Sequence, residues 1–561
     1  MQHGKNNSMK NIGISFSGGH DSSACFVKDK ELLFAISEER LTRKNHDSSF
    51  PLKAIHSGFI QSQWAPEDVD YVVLGWQSPI KYFIHDLSIL TNTSLMDTLR
   101  SISSHIKNIY SKGGLKSYER EFGKTRLLYC DHHLAHAISS YAYSPFNEAT
   151  ILVIDGRGAF ESSSIWYAKD GFIKPVEFIK WPNSLGFLYA KFTKYLGFQP
   201  LSDEWKVMGL AAYGKEGINL SDFINHEKKI YKVNWKEIYG KGLQDVSGIE
   251  KILGTQRKDE NEDISDRFKD IAFAIQQETE KAMLNLTEYA IKKTGCKNLC
   301  LSGGVALNCK ANGMIVNSGL INDIFIQPAA SDEGVSLGAA LYPYLLSEKR
   351  LPKVEMKHSY LGLQYSSEQV EGILKLYKLT YIKMNNRAYD IAKELAMGKI
   401  VGHFNGRMEF GPRALGNRSI LADPRIAEMK DKVNNSVKYR EWWRPFAPSI
   451  LEEHYSEFFK TGILSPFMIL SFPVIESKKE VIPAAVHVDG TARPQSVNKN
   501  TNQEYWEIIN EFYKLTNVPV LLNTSFNLKG EPIVCSPFDA IRTFYTSGLD
   551  VLAIDKFLIR K

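Results

Sequence analysis

One stretch decides the fold of this sequence: YCDHHLAHA at residues 129–137, followed by ILVIDGRG at residues 151–158. Asp131 suits a helix N-cap, and no helix breaker follows it, so the first string predicts a helix that begins at the histidines. His132 and His136 are four residues apart and then share one helix face. The apolar run at 151–154 predicts a strand that ends at Asp155.

Two imidazoles and a strand-end carboxylate suit a transition metal with open coordination positions. An isolated H-x-x-x-H pair fits better a helix whose histidines only cap or pack. A second strand-end carboxylate favours the metal, because the apolar residues 324–326 lead to Asp332, which stands just before a glycine. Asp332 is the natural fourth ligand, and an N-cap of the following helix is an equally good interpretation.

Length and composition set the class of protein. A chain of 561 residues exceeds what one hydrophobic core usually supports, so we expect at least two domains. The 69 basic and 63 acidic residues give a net charge of +6, which suits anionic small molecules and gives no sign of a nucleic-acid surface. The six cysteines are sparse, which predicts reduced core residues of a cytoplasmic protein, and no apolar run is long enough to span a membrane.

An internal repeat indicates the fold class. Residues 12–36 and 151–179 both predict a strand, a Gly/Ser-rich loop and two further strands joined by a tight turn. A duplicated βββ unit followed by helices is the α/β layout that actin and hexokinase share, with a nucleotide cleft between Gly-rich loops. Gly156 and Arg157 of one loop would line this cleft. The string LSGGVALN at 301–308 adds Gly303, Gly304 and Asn308 as phosphate or ribose contacts.

The C-terminal part has a different composition. SEKRLPK at 347–353 is the best linker candidate, which predicts domains at 1–350 and 360–561. Basic residues then alternate with glycines and hydroxyls in GRMEFGPRALGNRS at 406–419, KYREWWRPFAPS at 438–449, HVDGTARP at 487–494 and NTSFNLKGEP at 523–532. This pattern suits a small phosphorylated ligand, since guanidinium binds phosphate bidentately, although arginines on surface loops are the alternative. Arg444 stands among aromatic residues, where an unpaired cation would be costly, so the second domain predicts an anion pocket.

With GHDSS at 19–23, EERLTR at 38–43 and DEWKVMGLAAYG at 203–214, these ordered motifs resemble the NodU/CmcH-type O-carbamoyltransferase family of antibiotic and nodulation-factor biosynthesis over most of the chain. The resemblance implies an N-terminal metal- and nucleotide-binding carbamoyl-transfer domain. It also implies a C-terminal α/β domain like the threonylcarbamoyl-AMP synthases. The latter would convert carbamoyl phosphate and ATP, with Mg²⁺, into carbamoyl adenylate and pyrophosphate, and the former would pass the carbamoyl group to a hydroxyl.

The resemblance also implies residue roles. The metal ligands, usually of iron(II), would be His132, His136, Asp155 and Asp332. The activation site would contain Arg413, Lys438, Arg444, Arg493 and Ser525, and His20 resembles the family's active-site histidine. One departure occurs at RKNH, residues 43–46, where a lysine directly before the histidine is expected. Any role of a basic residue there is left open.

The expected acceptor is a hydroxyl of a small-molecule natural product or sugar, with no nucleic-acid or membrane partner. Residues 78–125 and 218–262, which we expect to shape the acceptor side, carry no chemical motif, and the oligomeric state is left open. A threonylcarbamoyl-type tRNA-modifying enzyme would favour a strongly basic surface. The hydrogenase-maturation carbamoyltransferase would carry paired C-x2-C motifs. A non-catalytic nucleotide-dependent binding protein on the same fold would have no use for the arginine pocket.

Overall fold

The computed structural model describes residues 8–17, 20–78, 81, 114–123, 125–158, 160–226, 230–238, 242–257, 259 and 262–561. The chain forms two compact units. The first comprises residues 1–186, 289–307 and 321–356, and the second comprises residues 187–288, 308–320 and 357–561. Most of the predicted acceptor-side residues 78–125, together with Gly18 and Gly19 of the first loop, lie outside the described residues.

The strands, in chain order, are β1 (Lys10–Ser15), β2 (Ser23–Lys28), β3 (Glu31–Ser37), β4 (Tyr71–Leu74), β5 (Arg126–Tyr129), β6 (Glu148–Ile154), β7 (Glu161–Lys169), β8 (Phe172–Lys180), β9 (Ile224–Asn225), β10 (Lys232–Val233), β11 (Asn298–Ser302), β12 (Asp323–Ile326), β13 (Ile382–Lys383), β14 (Val401–Phe404), β15 (Arg418–Ala422), β16 (Ala447–Leu451), β17 (Phe472–Pro473), β18 (Thr491–Ala492), β19 (Gln495–Val497), β20 (Val520–Ser525), β21 (Val551–Ile554) and β22 (Phe557–Arg560).

The α-helices of the described residues are α1 (Glu38–Thr42), α2 (Leu52–Ser62), α3 (Gly114–Phe122), α4 (His132–Tyr141), α5 (Leu185–Tyr195), α6 (Glu204–Ala211), α7 (Trp235–Ile238), α8 (Ser247–Leu253), α9 (Asp266–Thr294), α10 (Cys309–Asn317), α11 (Val335–Glu348), α12 (Ser367–Leu376), α13 (Arg387–Ala396), α14 (Met429–Val433), α15 (Tyr455–Phe458), α16 (Glu476–Lys479), α17 (Gln503–Thr516) and α18 (Pro537–Tyr545).

Two five-stranded sheets of the first unit have the same topology. One has the order β3-β2-β1-β4-β5 and the other the order β8-β7-β6-β11-β12. In each sheet the first three strands are antiparallel neighbours, and the last two run parallel to the central strand. This identical order confirms the predicted duplication of a βββ unit and the α/β fold class of the actin and hexokinase type.

Burial explains why the central strands read as continuous apolar runs. All but the first residue of β1 and of β6 are buried, because helices cover the sheet faces. Helix α11 packs against β1 and α4, and the buried Asn11 side chain donates to the Ala340 carbonyl at 3.1 Å. The loops that follow β6 and β12 carry the predicted carboxylates, so the sheet fixes the backbone positions of Asp155 and Asp332.

The second unit contains a mixed eight-stranded sheet of order β13-β22-β21-β14-β15-β20-β16-β19. Strand β14 runs parallel to β21 and antiparallel to β15, and β20 lies between β15 and β16. A buried apolar cluster under this sheet includes Ile420, Leu522 and Phe526. The unit is therefore α/β, and its predicted likeness to threonylcarbamoyl-AMP synthases stays a prediction.

The division into units differs from a simple split at a linker. Contacts group residues 187–288 and 308–320 with the C-terminal part, whereas one changeover falls at 356/357, close to the predicted linker. Lys353 of that linker donates to the Tyr141 carbonyl at 2.6 Å within the first unit. The predicted domains at 1–350 and 360–561 stay a prediction.

All six cysteines are buried and free of disulfides. Among the described residues, no helix combines the length and the apolar character that a membrane crossing requires.

Candidate functional site

Four predicted ligands meet in the first unit. His132 and His136 lie in the first turns of α4, Asp155 directly follows β6, and Asp332 opens a short 3₁₀ turn after β12. One ligand atom from each lies within 4.8 Å of the others. His132 Nε2 is 3.2 Å from an Asp155 oxygen and 3.6 Å from an Asp332 oxygen. We call this group the metal quartet.

The predicted N-cap position of Asp131 is confirmed, whereas the alternative role of Asp332 as an N-cap is wrong. Asp131 occupies the N-cap position of α4, but its carboxylate accepts no hydrogen bond from the helix and instead pairs with Lys81 at 3.0 Å. Asp332 does not cap α11, because Gly334 occupies that position. The Asp332 side chain is therefore available to the quartet.

The burial and hydrogen bonding of His136 indicate whether the quartet fits a metal. The residue is fully buried, and neither ring nitrogen has a hydrogen-bond partner among the described residues. An unpaired buried polar group is costly, so such atoms call for a partner that the protein itself does not supply. Two imidazoles and two carboxylates around this orphaned ring match the donor set of a divalent transition metal.

Electrostatics point the same way. Burial, reinforced by the charge of His132, holds the pKa of His136 well below its usual value, so its imidazole is neutral and able to coordinate. Burial opposes the charge of His132, but its hydrogen bond with Asp155 and the charge of Asp332 prevail and raise the pKa of His132 to about 9. Burial raises the pKa of Asp332 to about 6. The quartet thus favours one positive charge in its centre, which a metal ion would supply in place of a proton.

Backbone groups orient the quartet. His132 Nδ1 donates to the Gly75 carbonyl at 3.3 Å, which leaves Nε2 facing the carboxylates, and Gly304 N donates to Asp155 at 3.0 Å. Gly303 has φ +90°, and a Cβ there would stand 2.3 Å from the Ile154 carbonyl oxygen, so only glycine fits. Such outer contacts fix the orientation of metal ligands.

The predicted nucleotide contacts are only partly brought together. Gly156, Arg157, Gly303 and Gly304 lie around Asp155 in the first unit, and the Arg157 guanidinium lies 5.1 Å from the Trp181 ring centre. Asn308 belongs to the second unit, where its side chain caps α10 and pairs with the amide of Gln276 at 3.0 Å. The expected ribose contact from Asn308 stays a prediction.

His20 follows the two glycines outside the described residues. Its Nδ1 lies 3.1 Å from an Asp21 oxygen, and its charge acts on the Asp332 carboxyl. The predicted active-site histidine is therefore in the electrostatic neighbourhood of the quartet.

A second polar group forms in the second unit around Lys438. The ammonium is buried and lies 3.1 Å from Ser525 Oγ and 2.6 Å from the Asn527 side-chain oxygen, with the main-chain oxygens of both residues also within 3.2 Å. Ser525 ends β20, beside β15. Burial, together with the charges of Arg440 and Arg444, holds the pKa of Lys438 well below its usual value.

Two guanidinium groups, those of Arg440 and Arg444, act on the charge of this lysine, and Arg493 acts on both of these arginines. Burial, then Arg444, lowers the pKa of Arg440 well below its usual range, and Arg493 acts in the same direction. Burial lowers the pKa of Arg444 to about 10, although Glu441 opposes the shift. We call Lys438, Arg440, Arg444 and Arg493 the cation cluster. Buried like charges that destabilise one another are a site for an anion.

Residues far apart in sequence hold Arg444 in place. Its guanidinium lies 3.5 Å from the centre of the Trp205 ring and 3.3 Å from a Glu441 oxygen. Lys206 also reaches Glu441, at 3.2 Å, and Asp203, at 3.1 Å. Both Trp205 and Lys206 come from the motif at 203–214, for which the sequence predicted no role.

Arg413 lies half-buried in the loop before β15. Its neighbour Ala414 accepts from the Asn523 side chain at 3.2 Å, which ties this loop to β20. Arg440 and Asn527 are absent from the predicted site residues. Each stands two residues after a predicted one, and Tyr439, with φ +46°, turns the chain between Lys438 and Arg440.

Comparisons with known proteins find matches to both parts of the chain. The family description "Carbamoyltransferase N-terminus" matches residues 10–341, and "Carbamoyltransferase C-terminus" matches residues 392–561. The chain is 38% identical to "Uncharacterized protein sll1178" of Synechocystis, over 97% of this chain and 95% of that protein. It is 37% identical to "Nodulation protein NolNO" of Sinorhizobium fredii, over 97% and 79%. It is 27% identical to "Nodulation protein U" of Azorhizobium caulinodans, over 93% and 94%.

Proposed function

From the premise that this chain belongs to the carbamoyltransferase family and is an O-carbamoyltransferase, we propose that it activates the carbamoyl group with ATP before transferring it. Water takes the phosphoryl group of carbamoyl phosphate, which leaves carbamate. Carbamate then attacks the α-phosphorus of ATP and expels pyrophosphate. The resulting carbamoyl adenylate then gives its carbamoyl group to a hydroxyl of a small-molecule natural product or sugar, with AMP as the leaving group.

The cation cluster is the observation that carries this proposal. Lys438, Arg440, Arg444 and Arg493 act on one another in the second unit, and Glu441 offsets the charge of only Arg440 and Arg444 among them. Arg493 Nε has no hydrogen-bond partner among the described residues. Carbamoyl phosphate and the triphosphate of ATP, with its Mg²⁺, are the anions that the reaction requires. Guanidinium groups would hold their oxygens bidentately, and Lys438 would act as a fixed point charge. Arg413 and Ser525 are proposed to line the same site.

Activation by ATP answers a chemical difficulty. The carbamoyl carbon is a poor electrophile because its nitrogen donates electrons into the carbonyl. An adenylate supplies a good leaving group, and stabilising the developing oxyanion lowers the barrier to attack.

The metal quartet supports transfer in the first unit. His132, His136, Asp155 and Asp332 would hold the ion, for which iron(II) is our proposal, and a bound divalent ion supplies Lewis-acid polarisation of a carbonyl. His20 is proposed to act beside it, where a histidine or carboxylate takes the proton of the acceptor hydroxyl. Gly156, Arg157, Gly303 and Gly304 are proposed to hold the adenylate phosphate near Asp155.

Exchange of labelled pyrophosphate into ATP tests the proposal without knowledge of the acceptor. We expect exchange that depends on carbamoyl phosphate. Exchange that required threonine and bicarbonate instead would favour threonylcarbamoyl chemistry. No exchange with either set of substrates would favour a binding protein and would contradict the proposed activation step.

A further inference from the structure

A second group of possible metal ligands lies in the first unit. His20, Asp21 and His46 place one ligand atom each within 4.8 Å of the others. Asp21 stands between the rings: His20 Nδ1 is 3.1 Å from one carboxylate oxygen, and His46 Nδ1 is 2.9 Å from the other. No role for His46 follows from the sequence alone.

The backbone is arranged to bring His46 to Asp21. His46 has φ +54°, a left-handed conformation that is uncommon for residues other than glycine and that marks functional positions when the surroundings enforce it. Its amide donates to a Glu39 carboxylate oxygen at 2.9 Å. The next residue, Asp47, accepts at 3.0 Å from both the amide and the hydroxyl of Ser22. The two histidine loops are therefore tied to each other through Ser22 and Asp47, and the His46 loop is tied to α1 through Glu39.

Carboxylates dominate the surroundings. Asp21 acts electrostatically on both Asp332 and Glu333, and Glu333 is buried. Arg40 offsets Glu39 in an ion pair of 2.7 Å. Burial, followed by the charge of Asp21, raises the pKa of Glu333 to about 7, so Glu333 contributes little charge here. Asp21 itself faces both rings, and a divalent cation would be held by its carboxylate and by two neutral imidazoles.

We propose that His20, Asp21 and His46 form a second metal site, distinct from the metal quartet, for a divalent first-row transition ion. Two imidazoles and one carboxylate are the donor set of three-ligand sites that keep coordination positions open. The observed N···O separations of 3.1 and 2.9 Å are those of neighbouring ligands around one small ion, which takes the place of the shared protons. The His46 side chain is 40% exposed, so the open positions face water or an entering oxygen ligand.

This proposal goes beyond carbamoyl activation and does not depend on it. With Nδ1 of His20 on the ion, its neutral ring keeps a proton on Nε2, so the proton of the acceptor hydroxyl would pass to a carboxylate. The charges of His20 and Asp21 act on Asp332, so an ion here would add a second positive charge near the quartet. Paired ions can orient and polarise two substrate oxygens at once.

Metal titration tests the proposal. Tag-free, chelator-stripped protein is titrated with Co²⁺, and bound metal is measured by elemental analysis and by the ligand-field absorption bands. We expect about two equivalents in the wild type and about one in Asp21→Ala and in His46→Ala. Asp155→Ala is also expected to keep about one, and Asp21→Ala/Asp155→Ala close to none. His56→Ala serves as the matched control, because His56 also pairs with a carboxylate, Glu121 at 2.7 Å, but lies outside both clusters.

A single variant that still binds about one equivalent of Co²⁺ is folded, because the remaining site is intact. About one equivalent in the wild type, or about two in Asp21→Ala, would overturn the proposal. Loss of both ions in Asp21→Ala would also overturn it, because the second cluster would then not be a separate site. None of these results bears on pyrophosphate exchange, so failure here is distinguishable from failure of the proposed activation step.

Discussion

His136 shows at the residue scale how a site reveals what it binds. Its ring is fully buried without a hydrogen bond among the described residues, while the neighbouring His133 donates to or accepts from Ser164 Oγ at 2.8 Å. The two buried histidines thus differ in degree: His133 has one ring nitrogen bonded and only Nε2 without a partner among the described residues, whereas both nitrogens of His136 are without one. The ring with no bonded nitrogen is the one that belongs to the metal quartet.

Replacing His136 by alanine is expected to lower the metal content by about one equivalent relative to the wild type, since three remaining ligands hold a divalent ion less firmly. The matched control is His133→Ala, which removes an equally buried imidazole from the same helix turn and should keep the wild-type content. Elemental analysis of both purified variants, with their melting temperatures, gives the comparison. Wild-type metal content in His136→Ala would contradict the quartet.

A second residue-scale prediction concerns Arg444. Removing one partner of a desolvated charge pair costs about 2–5 kcal/mol, so Arg444→Ala should bind carbamoyl phosphate more than about tenfold more weakly and lose pyrophosphate exchange. Lys432→Ala provides the control, because that lysine is 46% exposed and lies outside the cation cluster. Calorimetric binding that is equal in Arg444→Ala and the wild type would refute our placement of the activation site.

Individual residues also show what could be read from the sequence. The i,i+4 spacing of His132 and His136 and the strand-end positions of Asp155 and Asp332 depend only on local structure, and the structure brings these four together. His46 and Arg440 could not be found in this way. Each depends on a non-glycine residue with positive φ, at His46 itself and at Tyr439, and tertiary contacts rather than residue type select that conformation.

At the scale of elements, the quartet depends on how closely β11 and its following turn approach β6. Gly303 directly follows β11, where the turn comes close to the end of β6. Its amide donates to the Ala330 carbonyl at 2.8 Å, and the amide of the neighbouring Gly304 donates to Asp155. Apolar runs separated by a Gly/Ser-rich loop and a tight turn predicted both repeated βββ units. The close approach at Gly303 is set by strand pairing, which the sequence does not encode locally.

Gly303→Ala should therefore lower the melting temperature and the metal content together. Its left-handed φ of +90° and the contact with the Ile154 carbonyl both penalise a Cβ, and such strain costs on the order of 1–3 kcal/mol. Gly295→Ala isolates the conformational part, since Gly295 has φ +78° with open space around it. We expect Gly295→Ala to keep its metal. Equal behaviour of the two variants in scanning calorimetry and metal analysis would show that the close approach does not matter.

At the scale of the whole molecule, the two sites lie in different units, the quartet in the first and the cation cluster in the second. The sequence predicted this separation from a change in composition near residue 350. It did not predict that residues 187–288 group with the C-terminal part, because a chain that leaves one unit and later returns to it shows no change of composition at the crossing points.

The separation predicts that the two steps can be uncoupled. Asp155→Ala should still catalyse carbamoyl-phosphate-dependent pyrophosphate exchange, since it leaves the cation cluster intact, but it should not carbamoylate an acceptor. Lys438→Ala should lose exchange, yet transfer the carbamoyl group when carbamoyl adenylate itself is supplied. If Asp155→Ala abolished exchange as completely as Lys438→Ala, a single site would perform both steps.

The contacts of Glu441 with Lys206 and Arg444 also constrain how this protein could be recombined. A chimera joined at the linker near residue 350 would inherit Arg444 from one parent and Trp205 and Lys206 from the other. The ring beneath the guanidinium and the ammonium beside the carboxylate would then come from a foreign sequence. Recombination should preserve function only where residues 203–206 and 438–444 come from the same parent. The unit that can be exchanged is therefore discontinuous in the gene.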